Sequence, residues 1–157
     1  MTESIDIVAD AVLTASRLLV AIAAKSIATV DESVTLPQFR LLVVLETRGP
    51  LKLVDLAGYL GVNPSTASRM VQRLVTADLV TRWVSPTSRR EHALGLTVGG
   101  AELVHQVTEC RRAEITRVVQ RMPAATRSEL VGALTAFTQA GGEPPVTSAA
   151  DALWVRQ

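Results

Sequence analysis

The chain has 157 residues, 48% of them hydrophobic and 20% charged, which suits one folded globular domain with a substantial core and excludes a disordered chain. Aromatic residues make up only 3%, so Leu, Val, Ala and Ile must build that core, and helix packing is favoured over a large sheet. The formal net charge is only +1, yet residues 51–96 carry Lys52, Arg69, Arg73, Arg82, Arg89 and Arg90 against Asp55, Asp78 and Glu91, a local excess of +3 with −2 elsewhere. A basic stretch of this kind is the footprint of a nucleic-acid partner. The single cysteine excludes an internal disulfide, and without a signal peptide or an uninterrupted apolar run of about 18 residues a cytoplasmic protein is expected.

Residues 4–29 read as one long helix, because Ile5, Val8, Val12, Ala15, Leu19 and Ile22 recur three and four positions apart. Leu13, Leu18, Val20 and Ile27 widen the apolar surface beyond one seam, so the helix is expected to touch both its own domain and a second subunit. Arg17 and Lys25 are too few to make the basic face of a membrane-surface helix. A polar break at Asp31–Val34 precedes Thr35-Leu36-Pro37-Gln38, a capping box that starts a second helix with Phe39, Leu42, Val43 and Leu45 on its apolar face. Arg48-Gly49-Pro50 ends it.

Leu53 to Leu74 reads as two short helices joined by a tight turn. Val54, Leu56, Ala57 and Leu60 keep helical spacing, and Gly61 permits a sharp exit. Asn63 is placed to cap the next helix, with Pro64 in its first position and an end near Thr76. Ala67, Met70, Val71 and Leu74 form the inward stripe of that second helix, leaving Ser65, Thr66, Ser68, Arg69, Gln72 and Arg73 outward. Hydroxyls suit base edges and phosphates, and arginine matches guanine O6 and N7 bidentately, so this outward set predicts a helix that enters a DNA groove.

Leu79–Val84 and His92–Leu96 are extended candidates for a short hairpin, with Ser85 to Glu91 as its projecting tip carrying Arg89 and Arg90. Thr97 caps a second long helix in which Leu103, Val104, Val107, Ile115, Val118 and Val119 are apolar, and Met122-Pro123 breaks it. A shorter helix follows over Ala125–Gln139, marked by Leu130, Leu134 and Phe137 and ended by Gly141-Gly142. In the tail, Glu143-Pro144-Pro145 is a linker, and residues 148–155 form a candidate helical turn with Leu153 and Trp154 to pack. The expected domains are therefore a dimerisation helix at 4–34, a DNA-binding domain at 35–97, dimerisation helices at 98–140 and an extension at 141–157.

Other chemistry finds little support. His105 and Cys110 stand five residues apart and splay around a helix, so with His92 they make a poor zinc site, and no metal or other cofactor is expected. His105 and Glu109 share a face as a solvated polar pair, and Cys110 fits a small buried hydrophobe. There is no glycine-rich phosphate loop and no triad within reach of two histidines, so the chain is not expected to be an enzyme.

In order and spacing, the stretches TLPQFRLLVVLETRGP, LAGYLGVNPSTASRMVQRLVTADLVTR and RREHALGLTVGGAELV resemble the MarR family of bacterial winged-helix transcription regulators, over roughly residues 5–140. The resemblance implies a mainly helical fold with a small β-hairpin wing: a winged helix-turn-helix flanked by long N- and C-terminal dimerisation helices. It also implies a homodimer that presents a recognition helix and a wing from each subunit to a palindromic operator in double-stranded DNA. Ser65, Thr66, Ser68 and Arg69 fall where family members contact the major groove, and Arg90 falls on the wing arginine that enters the minor groove. Family members usually carry Asp two residues before that arginine, and here the position is Ser88. A repressor released by a small aromatic or lipophilic effector is the expected mode of action. The rival reading is a winged-helix dimer that serves as a protein-interaction scaffold without binding DNA. Arg69, Arg73 and Arg90 on one side argue against it.

Overall fold

A computed structural model of the chain describes residues 3–146, divided between two compact units, Met1–Thr116 and Arg117–Gln157. The described elements are α1 (Ile5–Val30), α2 (Leu36–Arg48), α3 (Leu53–Leu60), α4 (Pro64–Thr76), β1 (Val80–Ser85), β2 (Ser88–Leu96), α5 (Val98–Gln120) and α6 (Ala124–Ala140). This is the expected mainly helical architecture with one antiparallel hairpin. The expected turn around Leu153 and Trp154 lies outside the described residues.

Local chemistry starts and stops these helices. The Ser4 hydroxyl accepts the Asp6 amide at 3.3 Å at the head of α1. The expected capping box at α2 is complete: Thr35 Oγ1 accepts the Gln38 amide at 3.3 Å, while Gln38 Oε1 accepts the Thr35 amide at 3.0 Å. Leu41, Leu42, Leu56, Val71, Leu74 and Val107 are fully buried in one core that joins α2, α3, α4 and α5 to the hairpin base at Val80 and Leu94. α2 departs from its expected face: Leu41 and Val44 go in with Phe39, Leu42 and Leu45, while Val43 is only half-buried. A helix surrounded by neighbours shows no single stripe. Val54 departs the other way: it is 69% exposed at the start of α3, where only Leu56 and Ala57 are buried.

The hairpin is joined to the rest by a tight corner. Asp78 takes a left-handed conformation (φ 58) as the chain leaves α4. Its carbonyl accepts the Thr97 hydroxyl at 2.7 Å, and the same hydroxyl accepts the Gly100 amide at 3.0 Å, so Thr97 caps α5 as expected. A Cβ at Gly100 would stand 2.1 Å from the Leu79 carbonyl oxygen, which explains why the first turn of α5 needs glycine there. A feature with no counterpart in the sequence reading is an antiparallel bridge between Leu51 and Leu94, which lays the approach to α3 along the outer edge of β2.

Long stretches of apolar surface remain uncovered. On α1 only Ile22, Ala23, Ser26 and Ile27 are buried. Of the expected seam, Ile5 is 86% exposed and Val8 and Leu19 are exposed too. Lys25 reaches Glu114 of α5 at 3.3 Å. In the second unit, α6 buries none of its residues and exposes Val131, Leu134 and Phe137. Arg127 ties the start of α6 to the end of α5, donating from Nε to the Met122 carbonyl and from Nη2 to the Gln120 carbonyl, each at 3.0 Å.

Candidate nucleic-acid interface

The helix-turn-helix depends on one sharp corner. Gly61 is left-handed (φ 66) and the Val62 amide returns to the Ala57 carbonyl at 3.1 Å, so α3 stops within a residue. Asn63 then restarts the chain: its Oδ1 accepts the Thr66 amide at 2.9 Å and the Ser65 hydroxyl at 2.7 Å. The inward stripe of α4 is Ala67, Val71 and Leu74, all buried, with Met70 packed at its edge. Ser65, Arg69, Gln72 and Arg73 are exposed on the opposite side, as the sequence predicts. Thr66 and Ser68 are half-buried. Thr66 Oγ1 receives Arg69 Nη2 at 3.4 Å, which holds the guanidinium over the first turn of the helix.

The wing corrects one expectation. Arg89, Arg90 and Glu91 are not at its tip. They lie on β2, and the turn consists of Pro86 and Thr87. The register explains why: Val84 pairs with His92 but Ser85 with Ser88, so these three residues are an insertion with no partners on β1. Such a bulge bends the strand and re-aims its side chains. Ser88 Oγ accepts the Arg90 amide at 3.4 Å. The Arg89 side chain lies outside the described residues.

Between α3, α4 and the wing lies an open cleft of about 550 Å³ whose walls include Lys52, Asp55, Ser68, Arg82, Arg90 and Glu91. The fold thus brings Ser68 of the expected reading set together with Arg90 of the wing. It adds two cations that the sequence reading left out of the site, Lys52 and Arg82. Arg82 pairs with Leu94 in the ladder and shares a sheet face with Val80, the strand's buried residue, so strand parity was the available signal. Lys52 had no such signal, because its place depends on the Leu51–Leu94 bridge. Its Nζ stands 2.7 Å from Glu91 Oε2, and that hydrogen bond and charge hold the Lys52 ammonium above the usual lysine range.

A helix-turn-helix whose second helix and hairpin frame one cleft defines the winged helix-turn-helix class. The comparisons with known proteins narrow this. Residues 34–92 match the MarR family. The crystal structure of RV1404 from Mycobacterium tuberculosis is 58% identical over 94% of this chain and 100% of that one, with a TM-score of 0.86. A protein described as regulating transcription of the hcr operon in Thauera aromatica is 27% identical over 74% of this chain and 70% of its own length. The fold alone is shared with a cysteine-to-serine mutant of MarR from E. coli complexed with operator DNA: 21% identity, 82% of this chain, 91% of that one and a TM-score of 0.63. The chain belongs to the MarR family of transcription regulators.

Proposed function

We propose that the protein binds a palindromic operator in double-stranded DNA as a homodimer, with residues 35–97 reading the DNA while 4–34 and 98–140 join the subunits. The observation that carries this reading is the shared cleft, which Ser68 of α4 lines together with Arg82 and Arg90 of the wing. Ser65, Thr66, Ser68, Arg69, Gln72 and Arg73 are the reading set, with Arg89, Arg90 and Arg82 as wing contacts. The operator complex of a protein with this fold adds support. The uncovered apolar length of α1 supports a second copy. A bilayer is the other environment that its length and hydropathy fit, and Asp6, Asp10, Arg17 and Lys25 along it favour a protein partner. Repression, release by a small aromatic or lipophilic effector, and a cytoplasmic location rest on family resemblance.

The test is quantitative binding to an operator selected from the DNA fragments that the purified protein retains. Arg69→Ala should cost ~1–3 kcal/mol and relax preference at one base pair per half-site. Arg90→Ala should weaken binding to most sequences and flatten the salt dependence by about one counterion per subunit. Titrations of both variants against single-base operator changes at several salt concentrations separate the two roles. A protein that lacks salt-dependent retention on heparin and non-specific DNA would favour the scaffold reading instead.

A further inference from the structure

The bulge that moves Arg90 off the turn also removes its partners across the hairpin, so the ladder by itself leaves the direction of residues 89–91 open. Ser88, two residues before Arg90, brings no charge to it and meets only its backbone amide. A charge anchored outside the hairpin meets Glu91, the neighbour of Arg90. Lys52 is pinned on both sides. Leu51 exchanges both backbone hydrogen bonds with Leu94, at 3.0 and 2.8 Å, and the Lys52 carbonyl accepts the Leu56 amide at 3.0 Å as α3 begins. With Leu51 opposite Leu94, Lys52 stands across from Ala93 and diagonal to Glu91, a separation that long side chains span. The resulting ion pair is 2.7 Å long, with side chains 53% and 43% exposed.

We propose that the Lys52–Glu91 ion pair is a brace that aims Arg90, tying the first helix of the helix-turn-helix to the wing so that recognition helix and wing meet DNA as one body. Lys52 and Glu91 are then positioning residues for the wing contact, a role that rests on the DNA-binding reading. An exposed pair of this kind contributes little to stability. Its effect is on the direction of its neighbour: Glu91 adjoins Arg90 in a segment that no β1 partner holds.

Glu91→Gln tests this by the sign of its effect, because it makes each subunit one charge more positive. A carboxylate that merely repels phosphate would, once removed, tighten binding to every duplex. A brace predicts a split. Operator affinity falls about two- to five-fold, the range of an exposed pair, while affinity for a non-operator duplex of equal length holds or rises. In the Arg90→Ala background Glu91→Gln should cause no further operator loss, since no guanidinium is left to aim. The exchange Lys52→Glu with Glu91→Lys, which keeps the net charge, should recover affinity to within about two-fold of the parent. Thermal unfolding of each variant confirms that the domain still folds. Tighter binding of Glu91→Gln to operator and non-operator alike would overturn the brace, as would a loss that persists without Arg90. A parent protein that binds no duplex would overturn the DNA-binding reading itself, a distinct result that removes the brace with it.

Discussion

From Phe39 to Val80 the large aliphatic side chains of α2, α4 and the hairpin base go almost entirely out of water, whereas along the first two-thirds of α1 the same residue types stay in it, with Leu13 59% exposed. Both regions have helical apolar periodicity in the sequence. The difference teaches that periodicity reports an apolar face and not what covers it. In the helix-turn-helix domain the cover comes from its own chain. On α1 it must come from elsewhere, and under the proposed assembly it comes from a second copy.

That contrast can be broken at either end. The largest expected effect is in the core: Leu42→Ala should cost about 2–5 kcal/mol, because the side chain is fully buried and its removal opens a cavity in the core. Chemical denaturation of the variant measures it, and a cost under about 1 kcal/mol would mean that the core around Leu42 is loosely packed. On α1, removal of residues 1–20 stops short of buried Ile22 and should leave the helix-turn-helix domain folded while dissociating the proposed dimer. Light scattering decides between that outcome and a dimer that survives, which would make the α1 surface something other than the joint.

Two smaller effects sharpen the contrast. Asn63→Ala removes the acceptor for the Thr66 amide and should cost about 0.5–2 kcal/mol. Local amide exchange should rise at the start of α4 and leave α1 unchanged. Smallest is Cys110→Ser on α5. Cys110 is half-buried and is the chain's single cysteine, so no intramolecular thiol can resolve an oxidised state. Stability should move by less than about 0.5 kcal/mol, and gel-shift titration under peroxide should match the parent; a peroxide response present in the parent and lost in the variant would assign the thiol a redox role.

α4 was largely legible because its signals are local. Gly61, Asn63 and Pro64 each act on backbone within four residues of themselves, and the Ala67, Val71, Leu74 stripe follows from helical geometry alone. The wing was legible as a hairpin but not in register. Turn formers run from Ser85 to Ser88, and nothing local says that the ladder closes at Ser85 and Ser88 with three residues left over. Val54 was misplaced because the stripe that α3 turns to the core is Leu53, Leu56, Ala57 and Leu60, spaced i, i+3, i+4 and i+7, which leaves Val54 facing out.

What the sequence determined by itself was therefore the order of the elements, their caps and the face of α4 that carries Ser65, Arg69, Gln72 and Arg73, because hydrogen bonds and side-chain periodicity within a few residues decide those. Only the tertiary structure decided that Leu51 would run beside Leu94, that Lys52 would meet Glu91 across 39 positions of sequence, and that Arg82 would join Arg90 and Ser68 around one cleft. Strand pairing and charge contacts between distant segments depend on how the whole core packs, and no local pattern of residues encodes that.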